Sequence, residues 1–447
     1  MLLRNLGRLL VAVLIGTLAP AAANAQFGNN FGAVGGVVVS AEGALRAGKI
    51  DAKLLRDELT KVVKKAPAGL NEPTELRMIS LKAVSEALAK AGVKSTADLP
   101  QDLQCLAGIQ RIQYIFVYPE QRDIVLAGPG EGWKVDENAN IVGVTTGRPV
   151  LQLDDLLVAF RTVDNARQGG ITCSIDPTAE GRRNLDAFLA KQKVMNNGVK
   201  DGVEKAMGAQ EITVRGVPVS SRFARTLVTS DYRMKRIAMS LEKSPLASLP
   251  SFIDVMMKTN TKLDNMMPRW WLACDYEPIA KGADGLAWEI KGRGVKVLTE
   301  DEQIGADGSV KQTGKVNPAA KKWADLMTAK YEELSVKEPV FAELQTIMDM
   351  SVVAALITKE QLAAQANCDL TALTAQSGGV TIAENAAAKS VDTQCSTLKH
   401  GKEWIITASG GVEINSWQIA DRTVADKAVD AVRATAAGSG DGWVWNK

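Results

Sequence analysis

Between Thr229 and Lys243 the apolar residues Met234, Ile237, Ala238 and Leu241 fall at i, i+3, i+4 and i+7, with charges between them. That period lays one apolar stripe along a helix. Thr229 or Ser230 would cap it, Asp231 would sit in its first turn, and Pro245 would end it. The same period predicts a helix over 51–65 (Leu54, Leu55, Leu59, Val62, Val63) and another over 74–92 (Leu76, Ile79, Leu81, Val84, Leu88), stopped by Gly92. Further helices are expected over 151–161, over 317–334 behind Pro318, and over the more apolar 339–357.

Other stretches alternate in a way that suits strands. Residues 35–46 read as strand, turn, strand. Residues 111–144 read as a run of short strands in which Ile115 and Val117 share an inward face with Ile124 and Leu126. Residues 170–176 read as a strand feeding a helix to Leu189, with Asp176 as cap and Pro177 in the first turn. Further strands are expected at 211–217, 270–278 and 285–298, the last a pair joined through Gly292-Arg293-Gly294. The tail from Pro318 to His400 reads as mainly helical. It is followed by a hairpin over 404–417, a charged helix from about Ala420, and a final strand at Trp443–Trp445. The class is α+β or mixed α/β: a short-strand sheet region with surrounding helices and a helix-rich C-terminal part. The expected segments are 26–100 (hairpin and helices), 101–300 (sheet and helix core) and 301–447 (helix-rich, with the closing hairpin, packed on the core); the length allows one body or two domains.

The N-terminus changes the picture. Arg4 and Arg8 precede an apolar run over 9–18, Pro20 breaks it, and Ala23-Asn24-Ala25 offers a small-residue cleavage site. This order reads as a signal peptide over 1–25. The run is shorter than the roughly 20 residues of a membrane span, and no later apolar run is expected to span. The location expected is therefore exported: periplasmic, cell-envelope or extracellular. Of the 53 basic residues, the leader takes Arg4 and Arg8 and no acid, leaving 51 against 51 acidic. A balanced chain speaks against nucleic acid as partner, since phosphate binding needs surplus cations.

Candidate chemistry is sparse. A single histidine, His400, cannot build a multi-histidine metal site, and no close cysteine pair replaces it. No metal, cofactor or catalytic set is assigned. Cys368 and Cys395 are the pair most suited to a disulfide, because both lie in the C-terminal segment. The Gly128-Pro-Gly-Glu-Gly132 run lacks the Lys-Ser/Thr of a phosphate loop, and Asp136-Glu-Asn138-Ala-Asn140 lacks the glycine and glutamate of a calcium loop. Both read as plain turns.

Two features stand as sites to examine. The basic face of the 229–243 helix offers Arg233 and Arg236, with Asp231 beside them and Arg222 and Arg225 upstream, as a set to hold an anionic ligand. Solvated, locally paired charge is the plainer reading. Trp270-Trp271 is the other: core packing is the plainer reading and an exposed partner surface the sharper one, with strand alternation turning one ring inward and one outward.

Several long motifs in fixed order carry a resemblance: YIFVYPEQRDIVLAGPGEGW, GRPVLQLDDLLVAF, CSIDPTAEG, TSDYRMKRIAMSLE, VNPAAKKWADLMTAKYEEL and PVFAELQTIMDMSVVAALI. The chain resembles an uncharacterised family of exported planctomycete proteins, domain of unknown function 1598, closely over roughly residues 100–360. The resemblance implies an exported protein built as one integrated domain and assigns no activity, cofactor or site residue. Two functions follow as expectations: a noncatalytic envelope or periplasmic protein that binds a protein or polymer, or a histidine-independent hydrolase using paired carboxylates.

Overall fold

The computed structural model describes residues 37–446 apart from 41–42, 48–56, 58–59, 61–62, 64–65, 139, 193–196, 260–266, 301, 305–309, 313, 315, 377–378, 401 and 438–441. The expected leader, the Gly/Asn-rich stretch after it and most of the helix expected over 51–65 lie outside the described residues.

The strand reading of 35–46 corresponds to β1 (Val37–Val39) and β2 (Ala44–Ala47), paired antiparallel. The 74–92 segment differs from its expected helix. Its first half is β3 (Thr74–Ser80), and only Leu81–Lys90 is helical (α1). The boundary is set by Ser80, whose side chain accepts from the Ala83 amide as an N-cap. The upstream residues find strand partners instead, through β5 (Asp123–Gly130) and β15 (Val444–Asn446). A helical period was present, but the sheet's hydrogen bonds outweigh it.

β4 (Tyr114–Tyr118) forms the expected hairpin with β5, Ile115 opposite Leu126 and Val117 opposite Ile124. The Gly128-Pro-Gly130 run is not a turn: it continues β5. A side chain at Gly130 would come within 2.9 Å of the Arg77 side chain. Arg77 is itself buried, donating to the carbonyls of Ala107 (2.6 Å) and Glu131 (3.1 Å). The Asp136 segment is a turn, held by Asp136 accepting from the Asn138 and Asn140 amides.

Apart from three small two-stranded pairs among the described residues, the further strands are β6 (Ile171–Pro177), β7 (Ala209–Arg215), β8 (Arg269–Asp275), β9 (Ile279–Lys281), β10 (Ala287–Glu289), β11 (Gly294–Glu300), β12 (Ser390–Asp392), β13 (Ser409–Ile414) and β14 (Thr423–Ala425), which belong to the large sheets. They make two large sheets. The eight-stranded one runs β1-β2-β12-β7-β6-β13-β8-β11, and the seven-stranded one runs β14-β9-β10-β4-β5-β3-β15. β12 and β13 come from the C-terminal segment yet sit inside the eight-stranded sheet, so the three sequence segments interleave. β8 and β13 pair parallel while β13 and β6 pair antiparallel, which makes this sheet mixed. The fold is α+β.

Three expectations from the C-terminal half change. Residues 285–298 do not pair with each other: β10 joins one sheet and β11 the other, and the Gly292–Gly294 link crosses between them. The tail is helical only as far as Thr374. Beyond it come β12 and a hairpin of Ser396–His400 with Lys402–Ile406, so His400 ends a strand rather than a helix. The 404–417 hairpin divides: its first arm pairs backward, and its second arm enters the large sheet as β13.

Among the helices, α2 is Leu153–Arg161, α3 Ala179–Leu189, α4 Asn197–Met207, α5 Arg222–Ala238, α6 Pro318–Ala329, α7 Pro339–Lys359 and α8 Ala428–Ala436. The α3 cap is Thr178, which accepts from the Gly181 amide, while Asp176 and Pro177 remain in β6. α7 is apolar enough and long enough to cross a membrane by composition, with a mean hydropathy of 1.6, but that window is wholly buried in the protein. It is apolar all round because it is packed all round. Its few polar groups tie the layers together. Asp349 accepts from Arg111 at 2.6 and 3.0 Å and from the Tyr276 hydroxyl at 2.7 Å, and Gln345 donates to the Arg293 carbonyl at 2.8 Å. All five cysteines are free and buried. Cys368 lies in the main core and Cys395 in a separate small cluster with Leu185 and Val203, so the pair most suited to a disulfide does not form one.

Candidate functional site

α5 begins at Arg222, capped by Ser221, whose hydroxyl accepts from the Ala224 amide at 3.1 Å. The expected start at Asp231 is two turns late, since Phe223 and Leu227 extend the same apolar stripe upstream. Asp231 is therefore mid-helix and buried. It pairs with Lys235 at 2.8 Å, and Lys235 also donates to the carbonyls of Ile175 (3.1 Å) and Gly410 (3.2 Å). Burial pushes the Asp231 carboxyl up to about 6, against the opposing pull of Lys235. Leu241 lies past the helix end and is only partly buried.

The arginines divide among separate partners. Arg222 is gripped by Asp155 and, at 2.7 Å, by Glu343. Arg225 donates to the Asn385 side chain at 3.3 Å. Arg233 pairs with Glu242 and with Glu338 at 2.8 Å, and Arg236 with Glu242 at 3.2 Å and with Gln394. These residues do not converge on one opening. The basic face is neither solvated nor a single anion cradle: it is the charged seam by which α5 is held inside the protein. Asp155 and Glu343 do not face each other across a cleft either, because both hold the same guanidinium. Burial pushes the Asp155 carboxyl up to about 7, opposed by Arg222.

The opposite side of the eight-stranded sheet is different. Alternation along five strands sends Ile171, Cys173, Ile175, Ile212, Trp270, Leu272, Val295, Val297, Val412 and Ile414 into the core beneath α5 and α7. Trp270 stacks edge-on with Phe252 (5.1 Å) and Trp323 (4.9 Å). The intervening residues form the outer face, and register aligns them in rows. One row is Leu298, Trp271, Gly411, Ser174 and Thr213. Beside it runs Lys296, Ala273, Glu413, Thr172 and Arg215. On the other side lie Glu300, Arg269 and Ser409, continued by the Asp176–Glu211 pair. Five strands about 4.8 Å apart make this platform roughly 19 Å across, and three rows make it about 14 Å long.

Trp271 is positioned by a glycine pair. A side chain at Gly411 would meet the Cys173 carbonyl at 1.8 Å and the Trp271 ring at 2.8 Å; at Gly410 (φ +120°) it would meet the Trp270 carbonyl at 1.8 Å. The ring thus rests against bare backbone, with the Arg269 guanidinium 4.3 Å from its centroid. Between Trp271 and the start of α3 the face dips into an open groove of about 480 Å³, bordered by Thr172, Ser174, Asp176, Arg182, Thr213 and Arg215. Asp176 lies directly opposite Glu211, a like-charge pairing that destabilises a sheet by roughly 0.2–1 kcal/mol. Arg269 and Arg182 both lie within electrostatic reach of Asp176 and offset the repulsion, although burial lowers the proton affinity of each arginine.

Of the sequence-derived candidates, only Trp271 belongs to this platform. Arg182, Arg269, Gly411 and the polar rows went unnoticed. Their signal was present as polar residues at every second position in Thr172-Cys-Ser174-Ile-Asp176 and Glu211-Ile-Thr213-Val-Arg215.

The molecule is thus an α+β protein with one face of its larger sheet left polar and open. Residues 173–252, which supply most of β6 together with α3, α4, β7 and α5, match the family model described as Protein of unknown function (DUF1598). No curated protein and no solved structure matches the chain.

Proposed function

We propose that the chain is an exported, noncatalytic protein of the periplasm or cell envelope that binds a polar polymer on the outer face of its eight-stranded sheet. The observation supporting this reading is the platform itself: an aromatic ring seated on Gly411 among rows of hydroxyl and charged side chains. An amphipathic ring offers an apolar contact beside hydrogen-bonding groups. The charges on the face balance, with Arg182, Arg215, Arg269 and Lys296 against Asp176, Glu211, Glu300 and Glu413. A platform without net sign suits an uncharged, hydroxyl-rich chain such as a glycan better than a polyanion.

The second reading is hydrolysis by Asp176 and Glu211, which share the groove. As cross-strand neighbours they stand side by side on one floor, whereas glycosidase carboxylates flank the scissile bond from opposite sides. Binding is therefore favoured. Co-sedimentation of the full chain with insoluble neutral polysaccharides and envelope preparations tests the proposal. Binding is expected to persist at about 1 M salt, where the screening length is roughly 3 Å. Binding only to anionic polymers, lost on adding salt, would overturn it. Release of new reducing ends that ceases in Asp176→Asn would favour hydrolysis.

A further inference from the structure

A second opening lies on the far side of the sheet, where α2 meets the Thr96–Gln104 segment, and no function above uses it. It is a cavity of about 220 Å³, larger than the roughly 150 Å³ engineered cavity that admits benzene. Its apolar wall includes Leu99, Ile141 and Leu153, and its polar wall includes Gln104, Gln152 and Asp154.

The polar wall offers acceptors beside the Thr96 hydroxyl, which has no hydrogen-bond partner. Gln104, which lines the cavity, donates through its amide nitrogen to the carbonyls of Ala97 (3.2 Å) and Leu99 (2.7 Å), so acceptance by its carbonyl oxygen is the role left to it. The Gln152 amide nitrogen likewise donates to the Val150 carbonyl at 3.0 Å. Arg222 borders the cavity too, but its guanidinium is held by Asp155 and Glu343. Asp154, the neighbour of Asp155, forms no ion pair among the described residues, and its Oδ1 is shielded from solvent without a hydrogen-bond partner. Burial raises its proton affinity, opposed by the Thr96 side chain, Arg222, the Ala383 backbone and Arg161. The first turn of α2 carries both Asp154 and Asp155, so the positive end of that helix is already matched. Among the described residues, no group of three or more His, Cys, Asp or Glu side chains is placed to hold a metal ion.

A pocket with a buried carboxylate outside any ion pair, one of its oxygens unsatisfied, and with amide acceptors and an aliphatic wall calls for a ligand carrying several donors, a positive charge and a short apolar body. We infer that this cavity is a binding site for a small primary amine, its ammonium on Asp154 and Gln104 and its carbon chain against Leu99, Ile141 and Leu153. The site is independent of the sheet platform and stands or falls separately from it.

Isothermal titration of the full chain with n-pentylamine and with its neutral isostere pentan-1-ol tests the assignment. The amine is expected to bind at least tenfold more tightly, and acidification is expected to weaken the amine and leave the alcohol unchanged, because protonating Asp154 removes its charge. Asp154→Asn should erase the tenfold preference. Ile141→Trp, which fills the cavity from a partly exposed position, should abolish binding of both probes and keeps the test decisive if the first variant folds poorly. Equal affinity for the two probes, or amine binding unchanged in both variants, would overturn the site and leave a cavity filled by water alone.

Discussion

The two faces of the eight-stranded sheet carry charge to opposite ends. Under the inner face, Arg222, Asp231, Arg233, Lys235 and Arg236 each meet an internal partner, and α5 is locked between the sheet and α7. On the outer face, polar side chains stand in rows with Trp271 at their centre and no helix packed over them among the described residues. A dense run of basic residues therefore marks a buried seam here, and a sparse alternation of Thr, Ser, Asp and Arg marks the open surface. Charge density is a poor guide to a site; what the neighbouring elements leave unpaired is a better one.

The contrast is most easily broken at Arg222. Replacing it with Ala leaves Asp155 and Glu343 buried and uncompensated, and is expected to cost about 3–5 kcal/mol in chemical denaturation. A loss below about 1 kcal/mol would mean that the seam is hydrated and the inner face open to water. Gly411→Ala comes next. The added methyl would collide with the Cys173 carbonyl, so a loss of about 1–3 kcal/mol is expected. It should be accompanied by a changed Trp271 environment in near-ultraviolet circular dichroism, and an unaltered spectrum with full stability would detach the ring from the glycine pair.

Titration sharpens the comparison further. The Asp155 carboxyl has a folded value of about 7 against a reference of 3.8, so the folded state holds this proton more tightly than the unfolded one. Its contribution is fully present below about pH 4 and is lost as pH rises toward 7. The stability difference between wild type and Asp155→Asn should therefore shrink or change sign across that window. A difference independent of pH would show that Arg222 keeps Asp155 ionised throughout.

Much of the fold was legible because local signals agreed with tertiary demands. The β4–β5 hairpin, the strand at 171–177, α6 behind Pro318 and the opposed directions of Trp270 and Trp271 all followed from period and turn chemistry. Reading failed where a segment's partner lies far away in sequence. Thr74–Ser80 is a strand only because Asp123–Gly130 and Val444–Asn446 flank it, and Ser409–Ile414 leaves its local hairpin to sit between β6 and β8. The site failed for the same reason. The motif around Asp231 was conspicuous in one dimension, but Glu338, which holds Arg233, and Glu343, which holds Arg222 upstream, come from α7 and its N-terminal edge. The platform is assembled from five strands spread between Thr172 and Glu413, and no local window contains it.

The smallest expected effect on stability belongs to the most informative substitution. Trp271→Ala removes a half-exposed ring, and its melting temperature should stay within a few degrees of wild type. In titrations against whichever neutral polysaccharide the wild type retains, Trp271→Ala should weaken binding by roughly thirtyfold, as expected for loss of about 2 kcal/mol at a central aromatic. Arg236→Gln, on the inner seam, should bind as the wild type does. Equal affinity for wild type and Trp271→Ala, with Arg236→Gln the weakened variant, would contradict the assignment of the outer face.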